Sequence, residues 1–397
     1  MIVQTIHPFP ARMAPELALE SLRGLQPASI VLDPMMGSGT VLRHAGELGH
    51  SSVGFDMDPL AVLMSSVWTT GVPDDLVRTT YQEVREAALA ADPGAIKLPW
   101  QDEDAETLAF VNFWFGKQQA RDLRCIAWAI SQKEAAVVDP LILAALNVVK
   151  VSLSRIIVTK EPCASLARDT SHSRPHRVSL TSDYSVFEGL EKSVLLVRKR
   201  LSSLRNVGVK TSVKRGDARR IGLPDASVDA VLTSPPYLNA IDYMRGHRMS
   251  LVWLGYRLCD LRHIRSNSIG AERRPENNAD LDDKIIEAMG DVSTLASRNK
   301  TMIARYAGDL KAMLSETARV LKPNGTATFV VGNSCLKGVF ISNACGVAKA
   351  AEIAGLDEVM RFERELPDRH RYLPTPTGGS LAKRMRTETI ICLSHRP

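Results

Sequence analysis

The sequence predicts an α/β fold in which a doubly wound sheet is interrupted by an inserted, mainly helical segment. Three observations carry that prediction. A short apolar run, Ile30-Val31-Leu32-Asp33, ends in an acid and leads through the glycine-rich Pro34-Met35-Met36-Gly37-Ser38-Gly39-Thr40 into a helical stripe. A second run, Ser52 to Asp56, again ends in an acid. The alternation stops near residue 74 and resumes at Thr211. Strand, glycine turn, helix, strand, acid is how a doubly wound sheet opens.

Taken in order, Val41, Leu42, Ala45 and Leu48 share one stripe and predict a helix over 41–48. Another is predicted over 60–67 after Pro59. From about Asp74 to Leu204 the pattern is helical, over 105–114, 118–131, 140–158 and 185–204, with a polar segment, Thr159 to Thr181, between the last two. The α/β pattern resumes over 211–217, and a strand over 228–232 is broken by Thr233-Ser234-Pro235-Pro236-Tyr237. A second polar excursion, 260–300, carries Arg262, His263, Arg265, Arg273 and Arg274. A helix over 306–321, a turn at Lys322-Pro323-Asn324-Gly325, a strand over 326–331, a helix over 342–354 and a strand over 387–393 complete the chain. The domains expected are therefore 1–73 with 206–397, and a helical insertion at 74–205.

The length of 397 residues allows two or three domains of roughly 150 residues each. Hydrophobic residues at 45%, charged residues at 24% and a mean hydropathy of −0.07 exclude long disorder as a description of the whole. No apolar run reads as reaching the roughly 18 to 20 residues that span a bilayer, and Met1 to Pro10 lacks the form of a secretory signal. Six scattered Cys without a C-x-x-C pair argue against a zinc ribbon or disulfide framework. The expectation is a soluble, cytoplasmic protein. Net charge is +6, unevenly spread: residues 1–150 hold 11 Lys/Arg against 18 Asp/Glu, residues 151–220 hold 15 against 6, and residues 221–397 hold 24 against 20. A basic block beside acidic sequence points to one polyanion-facing surface, with a solvated helix face as the plainer reading.

Two motifs carry chemistry. The loop Gly37-Ser38-Gly39-Thr40 brings backbone N–H groups near a ligand at a helix start. It lacks the Lys of a P-loop and the third Gly of the dinucleotide fingerprint. Asp33-Pro34 leads it, and Asp56 can accept from both hydroxyls of a ribose. In Ser234-Pro235-Pro236-Tyr237 the prolines remove two donors and present carbonyls, while Ser234 adds a hydroxyl and Tyr237 a flat ring. Two acceptors and a ring suit a planar ligand with an exocyclic NH₂ group. Drawing the amino hydrogens out of the ring plane localises the nitrogen lone pair for attack on an electrophile. Each motif also has a plain reading as a turn that ends a strand.

Together, Asp33-Pro34-Met35-Met36-Gly37-Ser38-Gly39-Thr40 and Ser234-Pro235-Pro236-Tyr237 resemble the family of S-adenosylmethionine-dependent DNA amino-methyltransferases. His7-Pro8-Phe9-Pro10-Ala11-Arg12-Met13 resembles the segment that precedes the cofactor loop in many members. The resemblance implies a class I, Rossmann-like methyltransferase sheet. It implies that Asp33, Pro34, Gly37, Gly39 and Thr40 surround the methionine part of S-adenosylmethionine, with His7, Pro8 and Phe9 closing over it. By the same resemblance Asp56 holds the ribose, Asp217 with Ala218 contacts the adenine, and Ser234, Pro235, Pro236 and Tyr237 hold the target base. It covers about 1–70 and 211–397 and leaves the insertion out.

A first-position Ser implies transfer to N4 of cytosine in a flipped-out base; N6 of adenine is the nearest alternative. An RNA amino-methyltransferase acting on tRNA guanine N2, and a catalytically silent nucleic-acid-binding subunit, stay open as well. The sulfonium methyl is already activated, so transfer needs positioning more than acid–base work. Cys163, after Pro162, is a weak candidate nucleophile. Arg168, Ser171, His172, Ser173, Arg174 and Arg177 in the polar loop are candidate contacts to duplex DNA. No metal is expected, since His172 and His176 lack supporting Cys or acid spacing. A restriction nuclease is a candidate partner, and no membrane is implied.

Overall fold

The computed structural model describes residues 5–8, 13–168, 175–202, 208–238, 242–270, 283–365 and 387–396. The chain divides into two compact units, one of residues 1–10, 58–206 and 242–265, the other of 11–57, 207–241 and 266–397.

The second unit holds a seven-stranded sheet made of β1 (Ile30–Asp33), β2 (Ser51–Asp56), β3 (Thr211–Arg215), β4 (Val228–Thr233), β5 (Leu321–Gly332), β6 (Leu356–Glu365) and β7 (Thr387–His395). The spatial order is β6-β7-β5-β4-β1-β2-β3. Neighbours from β5 to β3 are parallel, with Val31 opposite both Ser52 and Ala230, and Thr233 opposite Phe329. β7 runs antiparallel to β5 and to β6. This is the Rossmann-like α/β sheet expected from the sequence. Strand order reverses between β1 and β4, and the crevice beyond the carboxyl ends at such a point is where these sheets take ligands. Central strands are buried on both faces, as in Val31, Leu32, Val231, Leu232, Phe329 and Val330. Helices Ser297–Val320 and Asn343–Ile353 add Tyr306, Leu310, Leu314 and Val347 to that core.

Three details of the chain differ from the sequence reading. Residues 322–325 do not end one element and begin another: β5 runs through them, but its pairing with β4 jumps from Val228–Leu321 to Ala230–Thr326. The edge strand β6 was missed because its side chains after Leu356 are nearly all charged or exposed, which suits an edge and hides the apolar signal. The excursion at 260–300 contains helices Leu258–Asn267 and Asp283–Met289, and the next helix starts at Ser297 instead of 306.

The first unit is helical. Asp58-Pro59 and Asp139-Pro140 open two of its helices alike: the aspartate accepts from the N–H two residues on, at 2.9 and 2.8 Å, and proline takes the first helical position. Helix Pro140–Ile157 is the hub, packed on helices Pro59–Thr69, Asp74–Ala90 and Val186–Ser202. Its length and mean hydropathy of 1.7 suffice to cross a bilayer, which corrects the expectation that no run does. It is 61% buried within the protein and carries Lys150 and Arg155, as suits a core helix.

This unit is wider than the insertion read at 74–205, for long-range hydrogen bonds recruit sequence from both sides. Trp100 and Gln101 donate to the Val252 carbonyl at 2.9 and 2.7 Å, and Leu258 N–H donates to Thr107 Oγ1 at 2.8 Å. Arg155 donates to the Ile6 carbonyl at 2.6 Å.

Gly54 on β2 lets the glycine loop lie close to the sheet. A Cβ there would stand 2.5 Å from Met36 Sδ and 2.6 Å from Leu42 Cδ2, and both side chains are buried. Gly54→Ala is expected to lower stability by about 1–3 kcal/mol through overpacking, read as a lower urea midpoint with an unchanged slope.

Candidate active site

The loop after β1 is shaped by two left-handed glycines, Gly37 at φ +50° and Gly39 at φ +89°. It is tied to the end of β2 by Met36 N–H donating to the Phe55 carbonyl and Gly37 N–H donating to Asp56 Oδ2, each at 3.0 Å. Helix Thr40–Glu47 starts directly after it. The Ser38 and Thr40 hydroxyls are buried there with no hydrogen-bond partner among the described residues. Buried polar atoms are nearly always paired, so two unmet hydroxyls at a helix N-terminus fit a loop that closes on a polar ligand.

Asp33 lies beneath this loop, 4% exposed. Its Oδ1 accepts from Thr233 Oγ1 at 2.7 Å and from Met35 N–H at 3.2 Å. Burial pushes its carboxyl up to about 7, against the pull of those two donors, and nearby Asp56 adds to the rise. The Thr233 bond joins the ends of β1 and β4, so both loops leave the sheet from one fixed edge. Thr233 was not singled out from the sequence, although it directly precedes the motif.

Ser234 Oγ lies 3.0 Å from the Val330 carbonyl and donates to it, with the Tyr237 oxygen as a second acceptor in reach. In either case the protein takes its hydrogen, so toward a ligand the oxygen only accepts. Buried Tyr306 donates to the Pro236 carbonyl at 3.0 Å. No described group donates to the Pro235 carbonyl. The Tyr237 hydroxyl meets Ser234, the Gly332 backbone and Glu388; burial and the Glu388 carboxylate hold its pKa above the usual phenol range. Ser234 and Pro235 thus offer two acceptors beside a ring fixed at its far end. Glu388 on β7 was invisible in the sequence, because only the β5–β7 register brings it here, opposite Gly332.

Asp217 is clasped by Arg219, whose Nε and Nη2 donate to its two oxygens at 3.0 and 2.7 Å. Arg219 also donates to Asp309 at 2.6 Å and to the Asn267 carbonyl at 2.5 Å. The carboxylate keeps acceptor capacity but is held in place by an arginine the sequence reading missed. Ala218 is a core residue, 2% exposed.

Pro34 is buried directly after Asp33, and the remaining expected residues belong to the helical unit or lie outside the described residues. His7 is buried, with Nδ1 2.7 Å from the Pro8 carbonyl and Nε2 2.9 Å from Ser154 Oγ; burial pulls its pKa down to about 3, so the ring is neutral. Pro8 is exposed. Cys163 is fully buried, with Sγ 3.4 Å from the Ala167 carbonyl, which suits a structural thiol better than a nucleophile. Arg168 turns back on its own segment, donating to the Ala167 and Ser165 carbonyls at 2.9 and 3.2 Å, and so differs from the free contact expected of it. Arg177 lies over the Phe113 ring. Phe9, Ser171, His172, Ser173 and Arg174 lie outside the described residues.

No family model matches the chain. It is similar to the Type II methyltransferase M.MvaI of Kocuria varians, 23% identical over 423 aligned residues that cover 98% of this chain and 90% of that one. It is similar also to the Type II methyltransferase M.BsoBI of Geobacillus stearothermophilus, 23% identical over 61% of this chain and 50% of that one. Among solved structures, a TehB-like SAM-dependent methyltransferase from Corynebacterium glutamicum superposes over 97% of this chain and 89% of its own, with 8% identity and a TM-score of 0.31. The fold assignment rests on the strand order and not on that superposition.

The buried Asp33 makes a pH-dependent contribution to stability. Its folded pKa, pushed up to about 7, lies above the ordinary aspartate value of 3.8, so the native state holds the proton more tightly and stability falls as pH rises between them. The stability of the native chain relative to Asp33→Asn is expected to decrease from pH 5 to pH 8 in urea titrations. A difference that stays constant with pH contradicts a buried, near-neutral carboxyl.

Proposed function

We propose that this chain is an S-adenosylmethionine-dependent DNA methyltransferase that methylates the exocyclic N4 of cytosine. The observation that carries the proposal is the pair of acceptors formed by Ser234 Oγ, whose hydrogen the protein takes, and the Pro235 carbonyl, at the crevice between β1 and β4. An NH₂ group is the complementary donor. The similarity to two Type II methyltransferases, one along nearly its whole length, supports DNA as the substrate.

In this reading Gly37, Gly39 and the unmet hydroxyls of Ser38 and Thr40 hold the methionine end of the cofactor, Asp56 its ribose and Asp217 its adenine. Bound S-adenosylmethionine supplies a methyl group activated as a sulfonium. Ser234 and Pro235 hold the two amino hydrogens and tilt them from the ring plane, which gathers the nitrogen lone pair for direct displacement. The Tyr237 ring packs on the base, anchored through its hydroxyl. A base inside a duplex has to leave the stack to reach these groups. The surplus proton on nitrogen passes to water after transfer. Neither a thiol nucleophile nor a strong base is needed, because positioning supplies the rate.

Incubation with unmodified genomic DNA and, in parallel, total tRNA in the presence of labelled cofactor, followed by nucleoside mass spectrometry, tests the reading. N4-methylcytosine is expected. N6-methyladenine would keep the chemistry and overturn the base assignment, and label confined to tRNA would overturn DNA as substrate. Ser234→Ala is expected to lower kcat by about 10²-fold or more, the scale of losing one preorganised hydrogen bond at a reacting group. Cofactor affinity measured by calorimetry should stay within about twofold, since this serine meets the base and not the cofactor.

A further inference from the structure

Phe113, near the end of helix Ala105–Trp114, is 50% exposed. Trp114 meets its ring edge-on at 5.0 Å, and the Arg177 guanidinium lies 4.8 Å from its centroid. Arg177 closes a two-stranded ladder in which Ala167 faces Arg177 and Arg168 faces His176. That ladder is firmly based. Leu166 N–H donates to the Trp114 carbonyl at 2.8 Å, Val178 N–H donates to the Leu166 carbonyl at 3.0 Å, and buried Cys163 and Arg168 bind the turn before it.

The two arginines of the ladder are used differently. Arg168 spends its guanidinium on backbone carbonyls. Arg177 donates only Nε, to the Ser179 carbonyl at 3.3 Å, and no carboxylate pairs with it among the described residues. Val178 and Leu180 follow it at 56% and 80% exposure. The patch therefore joins an aromatic ring, a cation with no carboxylate partner among the described residues, and apolar side chains; Arg177, Val178 and Leu180 belong to the block of 151–220 that carries 15 Lys/Arg against 6 Asp/Glu.

We propose that Phe113 and Arg177 form a contact surface for double-stranded DNA, with Arg177 on a phosphate and the Phe113 ring against the apolar sugar and base edges. This rests on the DNA reading above. Charge complementarity selects the occupant: a polyanion gains from a guanidinium that no carboxylate pairs among the described residues, while a ring beside arginine suits bases and sugars of any sequence.

Fluorescence anisotropy with a fluorescein-labelled, mixed-sequence duplex, titrated with salt, separates the two contacts. Arg177→Ala is expected to lower the slope of log K against log salt by about one, the share of a single phosphate contact. Arg177→Lys should keep the slope. Phe113→Ala should weaken binding about 5-fold or more, the scale of losing one partly buried apolar contact to sugar and base edges, and leave the slope unchanged. All three variants should retain the thermal midpoint and cofactor affinity of the parent. If the parent binds the duplex and Arg177→Ala and Phe113→Ala match it in Kd and slope, the patch is overturned and the DNA reading stands. If the parent binds and methylates only tRNA, both fall. Loss of self-association or of binding to anionic vesicles in these variants, with duplex binding intact, also overturns the patch.

Discussion

The hydrogen bond from Thr233 to the buried Asp33 is the constraint on which the candidate site depends. It spans 200 positions of sequence and joins the ends of β1 and β4, where strand order reverses. On one side the chain turns through two left-handed glycines into a helix. On the other it turns through two prolines. Glycine permits close backbone approach and proline removes donors, so one loop can lie close against a ligand and the other presents acceptors. The cross-strand bond gives both loops a common origin at the cost of burying an acid, and burial raises that acid's pKa.

Around that bond, the protein settles which polar atoms are spent and which remain. Val330 takes the Ser234 hydrogen, Tyr306 occupies the Pro236 carbonyl, and Glu388 with Gly332 fixes the Tyr237 hydroxyl. What remains, among the described residues, is the Ser234 oxygen as an acceptor and a Pro235 carbonyl to which nothing donates. Arg219 does the same for Asp217, fixing the carboxylate while tying it to Asp309 and the Asn267 carbonyl. Preorganisation of this kind is what the proposed displacement on an already activated methyl requires.

The helical unit shows that a basic segment is not a uniform surface. Arg168 and Arg177 lie on opposite strands of one small ladder, yet one holds the turn together and the other covers an exposed ring. His7 likewise serves as a neutral, buried member of a hydrogen-bonded set with Ser154 and Ser250. Counting charges along the chain cannot separate such roles, because the difference is made by which carbonyls lie within reach.

Much of the fold was legible from the chain alone, and for a local reason. Ile30–Asp33 and Val228–Thr233 are largely buried strands that read as apolar runs, Ser51–Asp56 is a half-buried strand marked by its closing acid, and the glycine and proline turns that follow Ile30–Asp33 and Val228–Thr233 are specified by backbone sterics. Helix Ala105–Trp114 was legible to the residue. Strand β6 and helix Leu258–Asn267 were not, because their charged side chains mask the periodicity. The extent of the helical unit was hidden too, since side chains such as Trp100 and Gln101 reach a carbonyl at Val252 that no local pattern announces. The sequence by itself determined the sheet's central strands and the two loops to which the proposed chemistry is assigned. Only the tertiary structure decided which atoms of those loops stay available: the partners Val330, Tyr306, Glu388 and Arg219 arrive through strand register and helix packing, and these are set by burial across the whole core.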